Sequence, residues 1–458
     1  MKKSIKLFLV SMLSFFIVSC DDDTVELPDN FLAFKSTEQG LTGTDATVEL
    51  TLTRAADATV PVTVLLAPTG VEYGKHFTTE PAASNNVITL SIPQGSNTAS
   101  FKVIPVAGVL LSGTESIAFS ISNVTAPTLI GINKDLKLSF SKIISQGSTL
   151  TLEGKTAESN YTNNVYADLS ANSTKLSNRK LWNIAFTNGS QFRVVLNSAY
   201  QTTAAVTTKS DINAVTLADT SAVQNLNFEI GNPAALPLVD FWDGDLTKTV
   251  FAEVSATAAD NKVYLVSFEG AKAKNQWYKV KVDRNGTGYK VQYAKIDETA
   301  IKTVDISKNA DFNLSFLSFE TGEVADVEPK AKAWDLLYGY STHNAVPNAP
   351  SPYWFQDFVS INNLAGVQAA EVLTTTVSYA NYAEANIATT TFLPTRDAIG
   401  SKWRVTSGAT VGVRKDRFYV IKDAEGNVYK LNFVNMGLAS DGGERGKPVI
   451  EYKLVKGV

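Results

Sequence analysis

The chain has 458 residues, 41 basic and 45 acidic, and 44% of its residues are hydrophobic, an ordinary globular balance. No basic block interrupts this mildly acidic composition, which excludes a nucleic-acid electrostatic footprint. A single cysteine excludes any internal disulfide, so the fold rests on its core, and the length predicts two to four domains.

Residues 1–19 read as a signal peptide. Lys2, Lys3 and Lys6 form a cationic start, and the apolar run Leu7–Val18 is too short to cross a bilayer. The run ends in Ile17-Val18-Ser19-Cys20, a lipobox in which Cys20 becomes the acylated first residue. Loss of those three lysines leaves 38 basic against 45 acidic residues, a net charge of −7. Residues 20–26 form a lipidated acidic tether, and Asp21-Asp22-Asp23 resembles an export signal to the cell surface. The expectation is an outer-membrane protein, lipid-anchored and exposed on the cell surface.

The rest of the chain predicts strands, so the fold class expected is all-β. Residues 46–53 place Val48, Leu50 and Leu52 on one side of a period-2 pattern. Similar segments recur at 61–66, 86–92, 99–106, 115–122 and 135–140, separated by turn formers such as Pro68-Thr69-Gly70 and Pro93-Gln94-Gly95. About seven short strands at this spacing predict an immunoglobulin-like β-sandwich over 27–143. Its residues Val60-Pro61-Val62-Thr63-Val64, Val71–Phe77, Ile88–Gly95 and Glu115–Ser120 resemble a Calx-β module. Some such modules bind calcium, but Asp45, Glu49, Asp57, Glu72 and Glu115 are scattered here, which favours a spacer.

An internal repeat follows, with units expected at 148–297 and 300–458. Leu181-Trp182-Asn183-Ile184-Ala185-Phe186 answers to Ala333-Trp334-Asp335-Leu336-Leu337-Tyr338, 152 residues on. Asn261–Val266 answers to Asp416–Ile421 at an offset of 155. Each copy closes in a hairpin. The first is expected to turn at Asp283-Arg284-Asn285-Gly286, and the second runs from Val428–Phe433 back through Val449–Leu454.

From about Thr303 to Lys456 the chain resembles the HmuY family of haem-binding lipoproteins. The matching blocks are Phe316–Val324, Ala333–Leu336, Gly400–Val405, Phe418–Leu431 and Gly443–Pro448, and the first copy is similar through Trp182 and the 261–293 region. The resemblance implies an all-β unit with long finger-like hairpins, haem as ligand, iron acquisition as the role and a TonB-dependent outer-membrane transporter as partner. It also implies an axial pair of His, or Met in its place, one member upstream of a Trp hairpin and one just after it. Here Arg404-Val405-Thr406-Ser407-Gly408 follow Trp403, and Gly366–Leu393 holds neither His nor Met.

Haem iron needs His, Met, Tyr or a thiolate. With Cys20 acylated, the donors beyond residue 26 are His76, His343, Met436 and the tyrosines. His343, in the loop-like Gly339–Asn344, is the leading imidazole, with Tyr338 and Tyr340 beside it and Met436 at the last turn. The alternatives are His343 alone, His343 with Met436, tyrosinate from Tyr338, Tyr340, Tyr379 or Tyr382, or a porphyrin held without an iron bond. Tyr353-Trp354-Phe355 offers aromatic faces that stack on flat rings and on sugars. A non-catalytic glycan- or protein-binding lipoprotein that has lost haem ligation is the second reading. No catalytic triad, zinc motif or phosphate loop occurs, and Asp243-Gly244-Asp245 reads as an acidic turn, so no enzyme is expected.

Overall fold

Alternation of apolar and polar side chains becomes alternation of buried and exposed ones. In the strand Ala46–Leu52, Ala46, Val48, Leu50 and Leu52 are buried, while Thr47 and Glu49 face water. The computed structural model describes residues 28–41, 45–106, 115–140, 144–227, 231–270, 272–346, 349–408 and 410–457. The segment with Cys20 and the acidic tether lies outside the described residues. The chain divides into two units between Ile143 and Ile144.

The N-terminal unit is a two-sheet sandwich. One sheet runs, in spatial order, Phe77–Glu80, Thr98–Pro105, Ala46–Leu52, Phe31–Phe34 and Leu129–Ile130; the other runs Glu38–Gly40, Asp135–Ser139, Ser116–Val124, Val60–Thr69 and Val87–Ile92. Their inner faces share one core, with Phe34, Phe77, Phe101 and Phe119 among its largest members. Phe101 and Phe119 meet edge to face at 5.0 Å. Four of the scattered acids meet a base: Asp45 with Lys102, Glu49 with Lys35, Asp57 with Arg54 and Glu72 with Lys75.

The strands of 148–297 and 300–458 do not assort by half. One five-stranded sheet consists of Thr203–Val206, Val263–Ser267, Tyr278–Asn285, Gly288–Lys295 and, as its edge, Lys302–Ile306 from the second half. Its counterpart consists of Gln368–Leu373, Arg417–Lys422, Val428–Phe433, Val449–Lys456 and, as its edge, Gly147–Thr151 from the first half. Two four-stranded sheets join at their centres in the same way. Asn163–Asp168 pairs with Leu336–Val346 through Val165 and Tyr338, and Ile184–Thr187 pairs with Leu314–Leu317 through Ile184 and Leu317. The physical reason is that a lone hairpin buries too little and leaves a row of unpaired N–H and C=O groups, which the equivalent hairpin of the other half satisfies. The first closing hairpin also turns later than expected. Asn285 pairs with Gly288, so Gly286 and Thr287 make the turn, while Asp283 and Arg284 belong to the ladder.

The repeat shows in the side chains at the junction. Trp334 packs edge to face on Tyr166 of the first half at 5.0 Å, and Trp182 packs on Phe316 of the second at 4.8 Å. Asp335 accepts the Leu169 N–H at 2.8 Å, and Asn183 accepts the Phe319 N–H at 2.6 Å. Behind each indole stands a buried asparagine. Asn197 donates to the Trp182 and Arg179 carbonyls at 2.8 and 2.9 Å. Asn362 donates to the Trp334 and Ala331 carbonyls at 2.9 and 2.7 Å. Asn362→Ala leaves two carbonyls without a partner in a dry setting, so unfolding in urea is expected to show a loss of about 2–4 kcal/mol. Asn197→Ala is expected to cost a similar amount; a change below about 0.5 kcal/mol in both contradicts this role.

Glu328 is 3% exposed and accepts the Leu314 N–H at 2.8 Å. Burial pushes its carboxyl up to about 7, against the pull of the Leu314 and Asn313 hydrogen bonds and of Lys175. The folded state thus holds this proton more tightly than the unfolded chain, where glutamate titrates near about 4.3. Its stabilising contribution is full below that value and is lost as pH rises through about 7. Denaturant titrations of Glu328→Gln and wild type are expected to show the Gln variant gaining relative stability from pH 5 to pH 8, whereas a constant difference contradicts the raised value.

Candidate functional site

The longest hairpin pairs Leu336–Val346 with Ala349–Ile361. Gly339 pairs with Phe358 and Ser341 with Phe355, so Tyr340 faces both Gln356 and Asp357 across a bulge. Asp357 takes a left-handed conformation there, with φ +51°, and its side chain is fully buried. The Tyr338 hydroxyl donates to it at 2.9 Å and Arg445 at 2.5 Å, and the Arg404 guanidinium lies 3.4 Å away. The Trp403 indole N–H donates to the Asp357 carbonyl at 2.9 Å. One bulged carboxylate thus ties the hairpin to Trp403-Arg404 and to Arg445, two of the blocks singled out in the sequence. The sequence signal for it was a lone acid inside the aromatic strand Trp354-Phe355-Gln356-Asp357-Phe358.

The four expected iron donors do not converge. Tyr338 is wholly buried, and burial together with the Asp357 charge holds its phenol well above its ordinary value, so it has no accessible phenolate. Met436, in the connection after Val428–Phe433, is 1% exposed and sits in the same core as Tyr338 and Trp403. Tyr340 packs against that core, with its ring under the Arg179 guanidinium at 4.6 Å and its hydroxyl accepting from Gln356 at 2.8 Å. His343 lies in a strand opposite Tyr353, not in a loop. Its Nε2 is 3.1 Å from Asp397, and its ring has Trp242, Phe355 and Phe358 centroids between 5.3 and 5.8 Å away. Burial raises the Asp397 carboxyl, but the hydrogen bonds from His343 and Thr395 outweigh it and hold the group below its ordinary value. Sequence reasoning missed Asp397 and Trp242, because their approach to His343 depends on long-range packing.

The remaining tyrosines are also engaged. Tyr382 is 2% exposed and shares a hydrogen bond with Thr390, and the Tyr379 hydroxyl donates to the Lys430 carbonyl at 3.4 Å. Burial raises both phenols. In the stretch after Trp403, Arg404 is committed to Asp357 and, through Nη2, to the Gln356 carbonyl at 2.6 Å. These residues do not fit axial ligation of haem iron by a His or Met pair. The aromatic triplet splits by strand parity: Tyr353 is 40% exposed, Trp354 is buried, and Phe355 lies 4.9 Å from Tyr353, edge to face. Asp243 and Asp245 form an acidic turn, both bridged by Lys248, with Asp245 capping Leu246–Lys248.

A separate concavity lies where the two halves of the C-terminal unit meet. Trp182, Trp334, Leu196, Leu314, Phe316 and Leu337 line a cavity of about 110 Å³, with Arg396 and Asp240 on its wall. The Asp240 oxygens accept the N–H groups of Leu196 at 2.7 Å and Val250 at 2.8 Å. Burial pushes this carboxyl up to about 6 against those bonds.

The chain is similar in part to solved structures: the apo-form Calx CBD1 domain (11% identity, 24% of this chain and 95% of that one, TM-score 0.21), the calcium-binding domain CBD12 of CALX1.1 (8% identity, 57% and 78%, TM-score 0.21), and the E. coli chaperone DraB (11% identity, 25% and 57%, TM-score 0.16). No protein of curated function matches it. A family model described as HmuY protein matches residues 160–452, across both halves of the C-terminal unit and nearly two thirds of the sequence. The chain belongs to the HmuY family.

Proposed function

We propose that this chain is a surface lipoprotein, anchored through Cys20, that captures haem or a porphyrin for uptake without a protein bond to the iron. The family is one of non-catalytic haem-binding surface lipoproteins. The observation that carries the reading is the division of labour around the long hairpin. Asp357, Trp403 and Arg445 are hydrogen-bonded into one scaffold for it, while Tyr338, Tyr340 and Met436 serve the core and His343 serves Asp397. Exposed Tyr353, with Phe355 beside it, offers an aromatic surface to a flat ring. A TonB-dependent outer-membrane transporter is the partner to which the ligand passes in this reading.

Absorbance and fluorescence titrations of the protein from residue 20 onward, with hemin and with metal-free protoporphyrin IX, test it. Both are expected to bind with affinities within about tenfold of each other, that is within about 1.4 kcal/mol. Tyr353→Ala is expected to weaken both, and His343→Ala to leave the hemin spectrum unchanged. Hemin binding that exceeds porphyrin binding a hundredfold and disappears in His343→Ala overturns ring-only capture.

A surface glycan- or protein-binding role is the second reading. It is favoured by the engagement of all four iron-donor candidates, since aromatic faces also stack on sugars. Absence of binding to either tetrapyrrole, with binding on a glycan array, selects it.

A further inference from the structure

The cavity between the two halves is built for something smaller than a tetrapyrrole. Its volume of about 110 Å³ compares with the roughly 150 Å³ of a cavity that accepts benzene. Most of its wall is apolar, from Leu196, Leu314, Phe316 and Leu337.

The polar groups on that wall are not balanced. Trp182 and Trp334 are 7% and 8% exposed, and neither indole N–H has a hydrogen-bond partner among the described residues. Arg396 reaches the Ser198 hydroxyl at 3.3 Å, and the Asp240 and Asp397 charges act on it without a salt bridge to either among the described residues. The acceptors nearby are already used. Asp240 is capped by two backbone N–H groups, and Glu328 accepts from the Leu314 N–H and from Asn313. The amides of Asn197 and Asn362 are spent on backbone carbonyls and N–H groups. The one unpartnered acceptor, Asn164 Oδ1, lies against Gly339, where even a Cβ would stand 2.3 Å from it. What remains is two indole N–H donors without acceptors, beside a buried guanidinium that no carboxylate reaches directly, around an apolar space. Buried donors and charges left in this state are costly, and a ligand that supplies an anionic acceptor relieves them.

We infer that this cavity binds a small monocarboxylate with a compact apolar body, the carboxylate held by Arg396 and the indole N–H groups and the body lying against the leucines. The inference is independent of tetrapyrrole capture, because the cavity is too small for that ring and none of the four iron-donor candidates except Tyr340 lines it. Benzoate and butyrate are the probes, with benzyl alcohol as the neutral control of similar size, titrated into the intact protein by calorimetry and tryptophan fluorescence.

Benzoate is expected to bind saturably and at least tenfold more tightly than benzyl alcohol. Arg396→Gln is expected to remove that preference while hemin and porphyrin titrations stay as in wild type. Leu364, an exposed residue on the cavity wall, supplies a second variant that leaves Arg396 in place. Leu364→Trp is expected to fill the space and lower benzoate affinity at least tenfold. No saturable binding of either carboxylate, equal binding of benzyl alcohol, or a folded Leu364→Trp variant that binds benzoate as wild type does overturns the inference. So does a folded Arg396→Gln variant that keeps the preference.

Discussion

Everything in the C-terminal unit follows from unpaired strand edges. Asn163–Asp168 and Ile184–Thr187 each expose one side of a short hairpin, and backbone groups buried there must find partners. Leu336–Val346 and Leu314–Leu317 from the second half supply them, and the edge strands Lys302–Ile306 and Gly147–Thr151 are exchanged on the same principle. Packing then follows pairing. Each tryptophan of the repeat lies on an aromatic ring of the opposite half, and each is held from behind by an asparagine of its own half.

The arrangement creates two concave or exposed features with different chemistry. The long hairpin ends in aromatic surface and is anchored at its bulge by one buried carboxylate, Asp357, that gathers Tyr338, Arg404 and Arg445. A left-handed residue at such a point costs strain, which persists because the surrounding hydrogen bonds over-determine it. The junction cavity is lined by equivalent residues from both halves, Trp182 with Trp334 and Asn197 with Asn362. Duplication therefore did more than lengthen the chain: it made a space that neither half encloses alone.

Much of this was legible in the sequence, and the gaps have a physical pattern. Period-2 alternation located strands such as 46–52 and 135–139, because a half-buried ladder imposes it directly. The offset of Trp182 and Trp334 revealed the repeat, and the blocks from Phe316 to Pro448 pointed to the family. Partner choice was not legible, since alternation marks which side of a strand is dry and carries no information on which strand lies next to it. His343 reads as loop-like from Gly339-Tyr340-Ser341-Thr342-His343-Asn344 alone; the ladder to Pro352–Phe355 and the contact with Asp397 override that local preference. Met436 sits beside turn residues in sequence but packs with Tyr338 and Trp403 in space.

Residues 144–458 form one unit whose halves complete each other's sheets. Cleavage at a protease site placed at 297–300, between the strands Gly288–Lys295 and Lys302–Ile306, tests it most directly. After cutting, the two fragments should remain one species in gel filtration under native conditions, unfold in a single transition and part only in denaturant. Fragments that separate in native buffer and each keep a folded β-sheet spectrum would contradict the account.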